Sequence, residues 1–184
     1  MTYPAGVPVT LAQMAAVTPQ LLQSTYLTVA SAGVTLTIPS GFNRVHVFWR
    51  TRGSAAATAM QLQLQMNNDS ASNYLWERTE ANNATTSAAN SGGLSSFIQI
   101  ATMGGASITA NYMSSGEFTV DGVSDTSLYA TALGISTMFN TTSDCWSGRF
   151  AGQHNVAGAT TSLQLKPSSG NFVAGSSFSM YGYQ

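Results

Sequence analysis

The heptapeptide "MQLQLQM", Met60 to Met66, alternates apolar and amide side chains without a break. A side-chain repeat of two belongs to extended chain, so Met60, Leu62, Leu64 and Met66 share one face and Gln61, Gln63 and Gln65 the other. This is a strand with one face in a core and an uncharged face outside it. Upstream, "RVHVFWRTR" repeats the pattern, with Val45, Val47, Trp49 and Thr51 on one side and Arg44, His46, Phe48, Arg50 and Arg52 on the other. Before it, "VTLTIPSGF" predicts a strand Val34 to Ile38 that Pro39 stops and Ser40-Gly41 turns. Downstream, strands are expected at Tyr74 to Glu80, Phe97 to Thr102, Ser107 to Met113, Glu117 to Asp121, Leu128 to Phe139, Trp146 to Gly152, Thr160 to Lys166 and Ser176 to Tyr183. Clusters of Gly, Ser, Asn and Asp separate them, and no helical period intervenes. The chain therefore reads as all-β, an antiparallel β-sandwich of jelly-roll type.

Two stretches depart from the alternation. Thr79 to Ser95, "TEANNATTSAANSGGLS", has few apolar residues and no period, which predicts a long exposed loop. In "VTLAQMAAVTPQLLQS", Thr10 with Gln13 fits a capping box, and Thr18 before Pro19 fits an N-cap with proline at the first helical position. Short helical turns are expected there, and the chain divides into an N-terminal arm, residues 1–25, and a sandwich domain, residues 26–184. Leu11, Met14, Leu21 and Leu22 on the arm need a partner, either the domain's own flank or another protein, which makes them candidate docking residues.

Charge is the unusual quantity. Asp, Glu, Lys and Arg make up 7% of the 184 residues, with a net charge of −1, against roughly 25% in an ordinary soluble protein. Ser, Thr, Asn and Gln supply roughly a third of the chain, so the surface is hydrogen-bonding but hardly ionic. Nothing here steers the chain to nucleic acid or to an anionic membrane. No apolar run approaches the ~18 residues of a membrane span, and no basic residue precedes an apolar core in Met1 to Gly6, so neither a span nor a secretory signal is expected. Cys145 is the single cysteine, which excludes an internal disulfide and reads as a small hydrophobe beside Trp146.

Residues that carry chemistry are few. His46 and His154 sit in no metal-ligand spacing, and His46 falls on an outward face. Glu117 and Asp121 share a strand face, as a glycosidase pair would, but four residues of strand separate their backbones by about 13 Å. "DGVSD", Asp121 to Asp125, lacks the ligand density of a calcium loop and reads as a turn. No nucleophile elbow, phosphate loop or dinucleotide fingerprint occurs. No catalytic residue, cofactor or metal is assigned. Tyr74 and Trp76, flanking the polar stretch, are the candidate glycan-stacking residues.

Three stretches carry a resemblance: "LTIPSGFNRVHVFWRTRG" (Leu36 to Gly53), "MQLQLQMNNDSASNYLWE" (Met60 to Glu77) and "SLQLKPSSGNFVAGSSFSMYGYQ" (Ser162 to Gln184). In this order they resemble a family of small β-sandwich proteins on the virion surface of tailed bacteriophages. The resemblance implies a non-enzymatic capsid decoration (cement) protein, a head fibre or a tail domain, made in the host bacterial cytoplasm. The expected partner is the major capsid protein, bound by a symmetric oligomer with a trimer favoured. The alternative is a carbohydrate- or receptor-binding domain of the tail, using Tyr74 and Trp76.

Overall fold

The structure is a computed structural model that describes residues 18–83, 85–141 and 144–184. Twelve strands are formed by the described residues: β1 (Gln20–Tyr26), β2 (Val34–Thr37), β3 (Arg44–Thr51), β4 (Ala59–Met66), β5 (Tyr74–Asn82), β6 (Thr85–Asn90), β7 (Ile98–Gly104), β8 (Ser114–Asp121), β9 (Thr131–Thr141), β10 (Asp144–His154), β11 (Ser162–Pro167) and β12 (Ser177–Tyr183). Eight make a large sheet in the order β1-β12-β3-β8-β9-β10-β5-β6, and four make a small one, β2-β11-β4-β7. Every pairing is antiparallel. The two sheets enclose one core, a β-sandwich as the alternation predicts. A jelly roll has eight strands in two Greek keys. Twelve strands divided eight and four do not reproduce that layout, so the finer expectation is replaced by the observed order.

The core follows the period of two. Val45, Val47 and Trp49 of β3, Phe118 and Val120 of β8, and Phe178 and Met180 of β12 point inward from the large sheet. Met60, Leu62, Leu64 and Met66 of β4 meet them from the small sheet. Each such side chain contributes about 2 kcal/mol on burial, whereas the outward glutamines contribute little, so a one-residue slip of β4 would forfeit the whole set. That asymmetry fixes the register.

Side chains of the large sheet close both edges of the small one. Beside β2, the Gln23 amide accepts from Thr37 N–H at 3.0 Å and donates to the Thr35 carbonyl at 3.4 Å. Beside β7, Thr102 N–H donates to the Glu80 carboxylate at 3.1 Å and Gly104 N–H to Ser114 Oγ at 2.8 Å. These groups would otherwise be bare ladder positions.

Three expectations are corrected. The helical turn beginning at Thr18-Pro19 is not formed, because Gln20–Tyr26 pairs with β12 instead, with a bulge between Leu21 and Gln23. A ladder partner outweighs a capping signal worth about 1 kcal/mol. Thr79 to Ser95 is not a loop either: β5 and β6 form a hairpin there, turned at Asn83, whose φ of 51° is left-handed. Its Thr and Ala side chains lie over solvent, so no hydrophobic period marks them. Ser107 to Met113 is not a strand. Arg52 holds this segment as a loop by donating to the carbonyls of Gly105, Ala106 and Ile108 at 3.1, 3.0 and 3.2 Å.

Candidate functional site

The outer face of the large sheet is built from the residues that alternate away from the core. Cross-strand register lines up Phe48 of β3, Glu117 of β8, Ile135 of β9, Arg149 of β10 and Thr79 of β5 in one row. The next row runs Tyr181, His46, Thr119, Leu133, Ala151 and Glu77. Leu133 and Ile135 are 57% and 56% exposed, and Phe48 is 43% exposed. Three large apolar side chains thus stand on a solvent-facing sheet, interleaved with Glu117, Arg149 and hydroxyl groups.

The cause lies on the other side of β9. Its inward residues are Ala132, Gly134, Ser136 and Met138, mostly small, because rings from the neighbouring strands occupy that space. A Cβ on Gly134 would lie 2.3 Å from the Glu117 carbonyl oxygen, 2.6 Å from Phe118 Cβ and 2.7 Å from Phe150 Cε1. The larger residues of this strand are therefore turned outward.

The resulting surface has a shallow depression of about 430 Å³ between Phe48 and Ile135, with Arg50, Ser115, Glu117 and Thr137 along it. Ser115 and Thr137 share a hydrogen bond at 3.2 Å, and Glu117 lies 3.2 Å from His46 Nε2. The His46 ring leans on Phe48, centroids 4.3 Å apart, and Tyr181 meets Phe48 edge-on at 5.9 Å. Apolar walls, hydroxyl groups and a few charges suit a broad, weakly polar contact.

The predicted site residues fall in different places. Leu11 and Met14 lie outside the described residues. Leu21 stands on the outer face opposite Tyr181, but Leu22 packs against the core, so the two do not form one docking surface. Tyr74 is wholly buried. Its hydroxyl accepts from Met66 N–H at 2.9 Å and donates to the Asp69 carbonyl at 3.0 Å, and its ring stacks on His154 at 4.6 Å. Burial pushes its phenol up to about 12. It has no free ring face for a sugar. Trp76 alternates inward with Tyr74 and is half-buried against the core, its indole N–H enclosed, while the groove on the outer face beside it is walled by Leu75, Glu77, Leu133 and Asn90.

Glu117 and Asp121 are engaged separately, by His46 and Arg44, and do not face a common cleft. His154 Nε2 lies 2.8 Å from Asp69 Oδ2, the same oxygen that accepts from Asn73 Nδ2 at 2.8 Å, while Oδ1 accepts from Ala71 N–H at 2.8 Å. Hydrogen bonds from Asn73 and His154 hold the Asp69 carboxyl down at about 2. The stretch "NDSASNY" is thus a loop tied to β10. Asp125 caps its turn by accepting from Ser127 N–H at 2.7 Å and Leu128 N–H at 3.0 Å, which lowers its pKa. Among the described residues no group of three His, Cys, Asp or Glu is placed to hold a metal ion, and no helix is long and apolar enough to cross a membrane.

Phe48 is exposed on the outward face where the alternation puts it, but sequence reasoning missed Leu133 and Ile135 as surface residues. The available signal was a glycine, Gly134, at the centre of an alternating strand whose bulk sits in the opposite phase. Comparison with protein-family models, curated proteins and solved structures finds no match.

Proposed function

We propose that this protein is a non-enzymatic structural component of a bacteriophage virion, a decoration or cement protein that docks on the exterior of the major capsid protein lattice through the outer face of its large sheet. The observation that carries the reading is that face: Phe48, Leu133 and Ile135 exposed among hydroxyls and a few charges on the large sheet. Exposed apolar area of this kind marks a contact surface. The sequence resemblance supplies the virion as its setting. Near-neutral charge suits a lattice partner, because buried apolar area and neutral hydrogen bonds hold where salt screens ion pairs. Stabilisation of the shell then follows from binding only the assembled form.

The test is binding of the full chain to undecorated capsids, with the Leu133→Ser/Ile135→Ser double variant alongside. Loss of capsid occupancy with unchanged thermal unfolding is expected. Equal occupancy by both proteins would remove the sheet face from the mechanism.

A second reading, a carbohydrate- or receptor-binding domain of the tail apparatus, is favoured by one observation, the outer-face groove walled by Leu75, Glu77, Leu133 and Asn90. A glycan array that responds to the chain and falls silent with Leu75→Ser would support it.

A further inference from the structure

The sandwich has four sheet edges, and they are treated unequally. Gln23 closes β2, and Glu80 with Ser114 closes β7. β1 carries a bulge between Leu21 and Gln23 and follows Pro19. The remaining edge, β6 (Thr85–Asn90), reads "TTSAAN": no charge, no proline and no bulge in its pairing with β5. Charges, prolines and bulges are the usual guards of an edge strand.

The register shows which backbone groups are free. A two-residue connection closes Asn82 against Thr85 as a hydrogen-bonded pair, so Glu80 with Ser87 and Arg78 with Ala89 are hydrogen-bonded pairs too. The Trp76 carbonyl accepts from Ser91 N–H at 3.0 Å, which confirms that the even-numbered residues of β5 turn their backbone groups toward β6. Thr86, Ala88 and Asn90 therefore direct N–H and C=O away from β5, into solvent. Their side chains project on the same side of the sheet as Ala81, Thr79 and Glu77.

We propose that this edge pairs with the β6 edge of a second copy of the chain, antiparallel about a two-fold axis through Ala88. On that axis Ala88 faces Ala88, and Thr86 faces Asn90 twice, so all three outward residues fall in hydrogen-bonded positions and six backbone bonds form. The occupant is another copy because the strand is self-complementary in register and carries no charge to oppose its own image. Small side chains at Thr86, Ala88 and Asn90 leave the two backbones free to approach to ladder distance. The nearest outward charge, Glu77 opposite Asn90, lies at the strand end, so the two copies hold theirs at opposite ends of the joint. The product is one sixteen-stranded sheet with the outer faces of both copies side by side. This contact is two-fold, where the resemblance implied a trimer, and it does not depend on what the outer face binds.

The experiment uses the full chain. Sedimentation equilibrium over a hundredfold range of concentration is run on the wild type, Ala88→Pro and Ala88→Lys. Ala88 is exposed and its N–H is unused within one copy, so neither variant touches a bond of the monomer. A doubling of mass with rising concentration is expected for the wild type, and a constant mass for Ala88→Pro. Ala88→Lys places two ammonium groups on the axis, so its dimer is expected only at high salt. Amide exchange at Thr86, Ala88 and Asn90 is expected to slow as the wild type is concentrated. A wild type that stays monomeric, or a dimer that both variants retain, overturns the proposal. So does a dimer whose formation leaves exchange at these three amides unchanged, since another surface would then be in use.

Discussion

Asp69 shows what a single carboxylate does when three donors converge on it. Its pKa sits at about 2 in the folded chain, against an unfolded value near 3.8. A carboxyl depressed in the folded state contributes stability that is fully present above its unfolded pKa and is lost as pH falls through the folded one. The window is therefore between about pH 4 and pH 2, and the contribution is about 2 kcal/mol. Urea unfolding of Asp69→Asn is expected to show a deficit of that order at pH 7 that is largely lost by pH 2. A deficit of equal size at both pH values would mean that the loop is held by shape instead of charge. Gly134 makes the opposite kind of argument, from volume. Its absent Cβ leaves room for the Glu117 carbonyl and for Phe118 and Phe150, so Gly134→Ala is expected to destabilise by about 3 kcal/mol or more. Thermal unfolding measures it.

At the scale of elements, side chains finish what the ladders leave open. Arg78 of β5 donates to Glu80 at 2.7 Å and to Thr102 Oγ1 at 2.6 Å, with both charges largely out of solvent. Burial lowers the Arg78 pKa and Glu80 opposes that shift. Removing one partner of such a pair strands the other, so Glu80→Ala is expected to cost about 3–5 kcal/mol, far more than a surface ion pair would. Gln23→Ala is milder: it frees Thr37 N–H and the Thr35 carbonyl at a cost of about 1 kcal/mol, seen as faster amide exchange at Thr37. The same elements show how far a sequence can be read. β3, β4 and β12 were legible because one phase is apolar and the other polar. β6 was not, because neither of its phases faces the core. β9 was legible as a strand but not as a surface: both phases contain apolar residues, and only the rings of β8 and β10 decide which phase is turned out. The Glu80 and Gln23 closures join residues far apart in the chain, so no local pattern announces them.

For the whole molecule, the distribution of charge sets how it would hold a partner. The outer face carries Arg44, His46, Arg50, Glu77, Glu117, Asp121 and Arg149, with Arg44 paired to Asp121 and His46 to Glu117, and hydroxyl and hydrocarbon between them. Binding through it is expected to weaken little from low salt to about 1 M, where the screening length falls to about 3 Å. Capsid sedimentation across that range reads this directly. A fall of several orders of magnitude would instead place the contact on Arg50 and Arg149.

The pairing of β1 with β12 has a mechanical side. Gln20 lies opposite Gly182 and Tyr26 opposite Ser177, so the chain leaves both strands at the same end of the joint. Tension between the segment ahead of Gln20 and the last residue pulls this ladder open one pair at a time, like a zip, instead of loading all its bonds together. A tether at the front of the chain would peel β1 away at low force while Phe178 and Met180 stayed seated beside β3. The strand could then act as an extensible lead that gives before the body of the protein does.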